Sequence, residues 1–177
     1  MPEQLLMTIQ VEKAVRPELA EGYSLRSYRK GDEKHWVRLM NGNIGEWDEE
    51  KARKELFSKP EFNPKAMFFA IERATKTLVG TACLWSKPDD PLGLGWLHMV
   101  AVDNTHRGKH LGEVVSYAVV DAARKKGLKE VRLNTDDWRA GAVKTYLRMG
   151  FEPVLNVKGE DHTARWEALR KQLGFDK

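Results

Sequence analysis

The most informative part of the chain is residues 96–112, which read WLHMVAVDNTHRGKHLG. Residues 96–102 form a β-strand pattern, and a tight turn containing Gly108 follows directly. After the turn, apolar residues recur at helical spacing, and a basic last turn before Gly127 is typical of a helix end. The apolar positions of this helix are Leu111, Val114, Val115, Ala118, Val119 and Ala122. The stretch therefore predicts a strand, a tight turn and a helix.

The start of this helix has the chemistry of a phosphate-binding site. Its first backbone N–H groups have no acceptor inside the helix, and the aligned peptide dipoles add about half a positive charge. Gly108 and Gly112 let a ligand come close to the backbone. The side chains of Arg107, Lys109 and His110 put cationic or protonatable groups around the same point. The turn is therefore a candidate site for an anionic ligand.

Two motifs in this region resemble those of the GNAT superfamily of N-acetyltransferases. The pattern Arg107-x-x-His110-x-Gly112 after a strand is similar to that family's coenzyme A diphosphate loop. A later block, Ala142-x-x-x-Tyr146-x-x-x-Gly150-Phe151, is similar to its next helix and strand. Two residues depart from the family pattern: His110 stands at a usual glycine, and Arg139 stands where asparagine is common.

The resemblance implies acetyl-CoA as cosubstrate and transfer of its acetyl group to a primary amine of a small molecule or peptide. Direct attack on the thioester is expected because the sequence shows no Ser-His-Asp or Cys-His arrangement. It implies that the strand before the loop and the strand after the helix splay apart around the pantetheine arm. The coenzyme-binding residues carried over are Val100, Ala101, Val102, Arg107, Gly108, Lys109, His110, Leu111, Gly112, Arg139 and Tyr146. A homodimer is an expectation of the family alone.

The order of predicted elements gives the fold class. Strands and helices follow as β-α-α-β-β-β-α-β-α-β, a pattern that mixes hairpins with strand-helix-strand crossovers. We expect an α/β (α+β) fold with a mixed, mostly antiparallel central sheet of about six to seven strands flanked by helices. Residues 1–20 are expected to be an N-terminal docking segment with a short strand around residues 8–11. Residues 21–177 are expected to form a single GNAT-like domain.

Composition narrows the function classes. The 177 residues are 41% hydrophobic and carry a net charge of +4, which alone is weak support for a nucleic-acid-binding module. One cysteine excludes an internal disulfide and any cysteine-rich zinc site, and no metal is expected. No apolar run approaches the roughly 20 residues of a membrane helix, so the expected location is cytoplasmic.

Two side chains are candidates for proton transfer. His98 is the preferred general base, because imidazole has an ordinary pKa near the operating pH; the alternative is a core histidine. In the strand pattern His98 shares a face with Trp96, Val100 and Val102, opposite Leu97, Met99 and Ala101. From the resemblance, Tyr146 is the candidate general acid, with packing in the core as the alternative.

Acceptor recognition is assigned to carboxylates beside aromatic residues, which would suit a cationic amine. The candidates are Glu46, Trp47, Trp85, Trp96, Asp137 and Trp138. For each tryptophan the alternative is packing, and for Glu46 the alternative is a solvated loop acid. A catalytically silent acyl-CoA sensor, which would keep the loop without a working base, is the second functional hypothesis.

Overall fold

The computed structural model describes residues 3–175, and its core is a seven-stranded sheet with helices on both faces. The strands are β1 (Leu5–Gln10), β2 (Tyr23–Ser27), β3 (Met67–Glu72), β4 (Leu78–Trp85), β5 (Leu94–Val102), β6 (Glu130–Thr135), β7 (Glu152–Val154), β8 (Asn156–Val157) and β9 (Glu160–Asp161). The helices are α1 (Glu33–Asn41), α2 (Glu49–Ala52), α3 (Leu111–Lys125), α4 (Ala140–Met149) and α5 (Thr163–Leu173). After α2 the chain continues as a π-helical turn over Arg53–Phe57.

The sheet has the order β2-β3-β4-β5-β6-β1-β7, and every neighbouring pair is antiparallel except β5 and β6. The predicted fold class is therefore confirmed. One buried cluster packs α3, α4 and α5 on one face, and a second packs α1 and α2 on the other. Strands β8 and β9 form a separate small hairpin. Within residues 3–175, no helix combines the length and apolar character needed to cross a membrane.

The N-terminal segment contributes an internal strand of the sheet rather than a docked tail. Strand β1 pairs with β6 on one side and with β7 on the other. It covers Leu5–Gln10, so the predicted strand around residues 8–11 was placed too late. The signal is the alternation of Leu5, Met7, Ile9 and Val11, all of which are buried.

A bulge in β5 changes which residues share a face. Cys83 on β4 pairs with His98, but Thr81, only two residues away, pairs with Ala101. The extra residue is accommodated at Met99, whose φ is +54°. His98 therefore shares a face with Ala101, and the prediction that it shares one with Val100 and Val102 was wrong. Strict alternation fails here because a bulge inserts one residue without a partner.

Strands β5 and β6 separate after a short parallel stretch. Their pairing covers residues 94–96 of β5 and 130–132 of β6. In the part of the chain that the structure describes, residues 97–102 have no partner on this side. The separation opens a cleft between two strands of a continuous sheet.

Candidate active site

The cleft between β5 and β6 has a volume of about 800 Å³, and most of the predicted site residues line it. Its walls are β5, the end of β6, the loop before α3 and the start of α4. The predicted residues that line it are His98, Val100, Ala101, Val102, Arg107, Gly108, His110, Leu111, Gly112, Arg139, Tyr146, Trp85, Trp96 and Trp138. The loop and the candidate proton-transfer groups therefore face one space.

The loop before α3 presents free backbone N–H groups. Gly108 and His110 both have left-handed backbone conformations, with φ of +78° and +57°, and α3 begins immediately after His110. The first helical bond runs from the Val114 N–H to the His110 carbonyl at 3.1 Å. Among residues 3–175, no acceptor is bonded to the N–H groups of Leu111, Gly112 or Glu113. The helix start can therefore bind an anion.

The loop is anchored by one buried hydroxyl. The Tyr23 hydroxyl lies 2.8 Å from His106 Nδ1, and it accepts a hydrogen bond from Lys109 Nζ, also at 2.8 Å. Tyr23 is a buried residue of β2. The Lys109 side chain is thus held away from the cleft, so only the Lys109 backbone belongs to the predicted diphosphate loop.

His110, which replaces the usual glycine, takes the backbone conformation that glycine would adopt. Its imidazole points to the first turn of α3, where Nδ1 lies 3.0 Å from a Glu113 carboxylate oxygen. Arg148 on α4 lies 3.5 Å from the same oxygen. Histidine is among the residues that tolerate the left-handed region. His110 therefore adopts a left-handed backbone conformation that glycine also favours, and it adds a side-chain contact.

His98 lies in a largely apolar corner of the cleft. Its ring centroid is 5.5 Å from that of Trp85, and its backbone carbonyl accepts a hydrogen bond from the Cys83 thiol at 3.5 Å. Burial, reinforced by the charge of Lys87, lowers the pKa of His98 to about 4. No residue within 3–175 bonds either ring nitrogen. The ring is therefore neutral at pH 7 and able to accept a proton.

Cys83 itself is a poor nucleophile. It lies on β4 and is fully buried, and that burial raises the pKa of its thiol to about 12. A thiol of this kind remains protonated at neutral pH. Cys83 is therefore a small core side chain.

Tyr146 reaches the cleft from α4. The side chain is buried, and its ring centroid lies 5.9 Å from that of Phe151. Burial raises the pKa of the phenol to about 12, while the positive charge of Arg139 acts in the opposite direction. Within the described residues, the hydroxyl has no hydrogen-bond partner. It is therefore a protonated donor at neutral pH.

Arg139 precedes α4 and is held by its neighbours. Its Nε lies 3.0 Å from a carboxylate oxygen of Asp136, and its guanidinium lies 4.3 Å from the centroid of the Trp138 ring. Trp138 is largely exposed. These contacts place a cation and an aromatic surface at the rim of the cleft.

Three of the six predicted acceptor residues lie elsewhere. The Trp47 ring packs on Trp36 at 5.0 Å and its indole N–H donates to the Ile44 carbonyl, so it belongs to the core around α1. Glu46 is exposed in the same loop, outside the cleft lining. Asp137 pairs with Arg165 of α5 at 2.5 Å. The loop containing Glu46 instead contributes Asn43 and Ile44 to the cleft.

Sequence reasoning missed several lining residues, namely Gln4, Asn43, Ile44, Lys87, Asn134, Thr135, Asp136, Thr145 and Arg148. Asn134 and Thr135 carried a usable signal, because they are polar residues at the end of a strand parallel to β5. Gln4 and Lys87 carried none, because only the tertiary fold brings them to the cleft. In the described part of the chain, no group of three or more histidine, cysteine or acidic side chains could hold a metal ion.

Comparison with protein families gives a match over the region that builds this cleft. Residues 24–151 match the model described as the acetyltransferase (GNAT) family. Among curated proteins, a mycothiol acetyltransferase of Thermobifida fusca is 31% identical over 154 residues, covering 80% of this chain and 47% of that protein. A mycothiol acetyltransferase of Thermobispora bispora is 35% identical over 149 residues, covering 76% and 48%. The chain thus spans about half the length of these relatives.

Solved structures show the same fold. A GCN5-related N-acetyltransferase from Sphaerobacter thermophilus superposes with a TM-score of 0.72 at 22% identity, covering 87% of this chain and 50% of that one. The ribosomal-protein-S18-alanine N-acetyltransferase from Escherichia coli gives a TM-score of 0.61 at 15% identity, covering 78% and 87%. At such identities the likeness concerns the fold.

Proposed function

The chain belongs to the GNAT family of acetyltransferases, and we propose that it transfers the acetyl group of acetyl-CoA directly to a primary amine of a small molecule or peptide. The observation that carries this proposal is the shared cleft. A helix start with free N–H groups lies at one end of it, and the neutral ring of His98 and the protonated hydroxyl of Tyr146 also face it. The two mycothiol acetyltransferases, of whose length this chain spans about half, are named for acetyl transfer, and this supports the same class of reaction.

The cleft fits the elongated coenzyme by its chemistry. The N–H groups of Leu111, Gly112 and Glu113 would bind the diphosphate, with Arg107 beside them. The edge of β5 over residues 97–102 has no strand partner towards β6, so Val100 and Val102 would pair with the pantetheine amides as an added strand does. The bound coenzyme supplies an activated acetyl thioester.

His98 acts as the proton acceptor in this proposal. An alkyl ammonium with a pKa near 10.4 is protonated at neutral pH and must lose a proton before it can attack. The neutral His98 ring can take that proton, directly or through a water molecule. The lowered pKa keeps the ring unprotonated at pH 7 but makes it a weaker base than an ordinary imidazole, so the proton it takes is passed on readily to solvent.

Tyr146 acts as the proton donor. When the carbon–sulfur bond breaks, the Tyr146 phenol would donate its proton to the leaving thiolate, and the second proton of the acceptor nitrogen, released as the amide forms, would restore the phenol. No Ser-His-Asp or Cys-His arrangement is part of the proposal, because Cys83 is buried and protonated. The amine therefore attacks without an acyl-enzyme.

The test measures release of free CoA thiol from acetyl-CoA with a panel of primary amines. The wild-type protein should release CoA with at least one amine. His98→Ala and Tyr146→Phe should each lower kcat by about a hundredfold or more, the range of general acid–base catalysis. Calorimetry should give an unchanged Kd of acetyl-CoA for His98→Ala, because His98 is not among the expected coenzyme-binding residues. Tight binding of acetyl-CoA with no transfer to any amine would favour the silent acyl-CoA sensor and refute the proposal.

A further inference from the structure

A lysine occupies the part of the cleft where a carboxylate was expected. Lys87 follows the end of β4, and its ammonium lies 3.8 Å from the centroid of the Trp96 ring. Both residues line the cleft together with Trp85 and His98. The positive charge of Lys87 also contributes to the lowered pKa of His98. Lys87 therefore belongs to the acceptor end of the cleft.

Asp90 orients the Trp96 indole and the Lys87 backbone without forming an ion pair with the Lys87 ammonium. A single oxygen of its carboxylate accepts the Trp96 indole N–H at 2.9 Å and the Lys87 backbone N–H at 2.6 Å. The indole is thereby fixed beneath the ammonium of Lys87. Within the described residues, no carboxylate lies within ion-pair distance of Lys87 Nζ. The Asp90 contacts orient the site and leave the lysine charge available.

The other carboxylates that line the main body of the cleft are already paired with cations. Glu113 contacts His110 and Arg148, and Asp136 contacts Arg139. Glu46, which was expected to attract a cationic amine, lies outside the cleft. The acceptor end therefore offers an unpaired cation and aromatic faces.

We propose that the acceptor amine carries an anionic group, a carboxylate, which binds Lys87 beside the Trp96 ring and directs the amine towards His98. This inference rests on the proposed acetyl transfer and names its substrate class. An anion complements Lys87, whereas a polycationic acceptor would meet its like charge, and the nearby Asp90 oxygen is already engaged by the Trp96 indole and the Lys87 backbone. The carboxylate would form a charge-assisted contact with the Lys87 ammonium.

The test compares acceptors that differ only in this charge. Rates of CoA release are measured with amino acids and with their primary amides, and kcat/KM is expressed per concentration of neutral amine, because amidation changes the amine pKa. Phosphorylated amines form a second arm that separates carboxylate from phosphate recognition. The variants are Lys87→Met and Lys87→Glu. The control, Lys54→Glu, changes net charge equally at an exposed residue outside the cleft.

The wild-type protein should prefer the acid over its amide. Lys87→Met should lower kcat/KM for the acid by about tenfold, the loss of one charge-assisted contact, and leave the amide little changed. Lys87→Glu should reverse the preference, while Lys54→Glu should preserve it. Equal use of acid and amide by the wild-type protein, an equal loss for both in Lys87→Met, or a preference for phosphorylated amines would overturn the carboxylate assignment while acetyl transfer stands. Absence of transfer to every acceptor would refute both proposals.

Discussion

Mild acidification should destabilise this protein through His98. In the folded state, burial beside Trp85 and Cys83 and the nearby charge of Lys87 lower the pKa of the imidazole from 6.5 to about 4. In the unfolded chain the same ring has its ordinary pKa. Between these two values the unfolded state binds the additional proton, so the free energy of unfolding falls as the pH falls. The contribution is fully present above pH 6.5 and is lost progressively towards pH 4.

The size of this loss follows from the two pKa values. Going from pH 7.0 to pH 4.5 should remove about 2.5 kcal/mol of stability through this one ring. Urea unfolding at several pH values measures it, with His98→Gln as the matched variant because glutamine does not titrate. The variant should show a pH dependence flatter by about that amount. Parallel curves for the two proteins would refute the buried, neutral state of His98 on which its role as proton acceptor rests.

Two further predictions concern the diphosphate loop. Tyr23→Phe should raise the Kd of acetyl-CoA about tenfold, because it removes the hydroxyl that contacts both His106 and Lys109 of the loop. The control is Tyr28→Phe, which removes a hydroxyl bonded to Glu33 outside the loop and should lower the Tm without changing that Kd. Calorimetric titration decides this, and matching Kd values in the two variants would contradict it. His110→Gly should change the free energy of unfolding by less than about 1 kcal/mol, because relief of the left-handed backbone offsets the added chain entropy and the lost Glu113 contact. Its Kd for acetyl-CoA should be unchanged or lower, and a large increase would show that the imidazole itself contacts a phosphate.

The loop and α3 were predictable because their signals are local. The apolar spacing after Leu111, the glycine at 108 and the basic end before Gly127 all lie within one continuous stretch. The family resemblance follows from this stretch and the later Tyr146 block, and the fold class follows from the order of predicted elements; both are confirmed. Local backbone chemistry was sufficient because a helix start needs few partners from distant parts of the chain.

The face of β5 was not predictable in the same way. Period-two alternation assigns His98 and Val100 to one face, but the bulge at Met99 separates them. Methionine gives no sign of a positive φ, since glycine is the residue that favours that region. The prediction that Trp47 and Asp137 bind the acceptor went astray for a related reason. Trp47 and Asp137 found partners in Trp36 and Arg165, which are distant in sequence or on another element.

The N-terminal strand explains how the sheet can tolerate a cleft in its centre. Where β5 leaves β6, the end of β6 would lose a neighbour on that side. Strand β1 pairs along the other edge of this same end, opposite Leu133, Asn134 and Thr135. The wall that lines the cleft is therefore held by a strand from the start of the chain, and β7 covers the outer edge of that strand in turn. Opening the sheet between β5 and β6 thus exposes backbone groups along the cleft, where the coenzyme is proposed to bind, while β1 supports the β6 wall from its other edge.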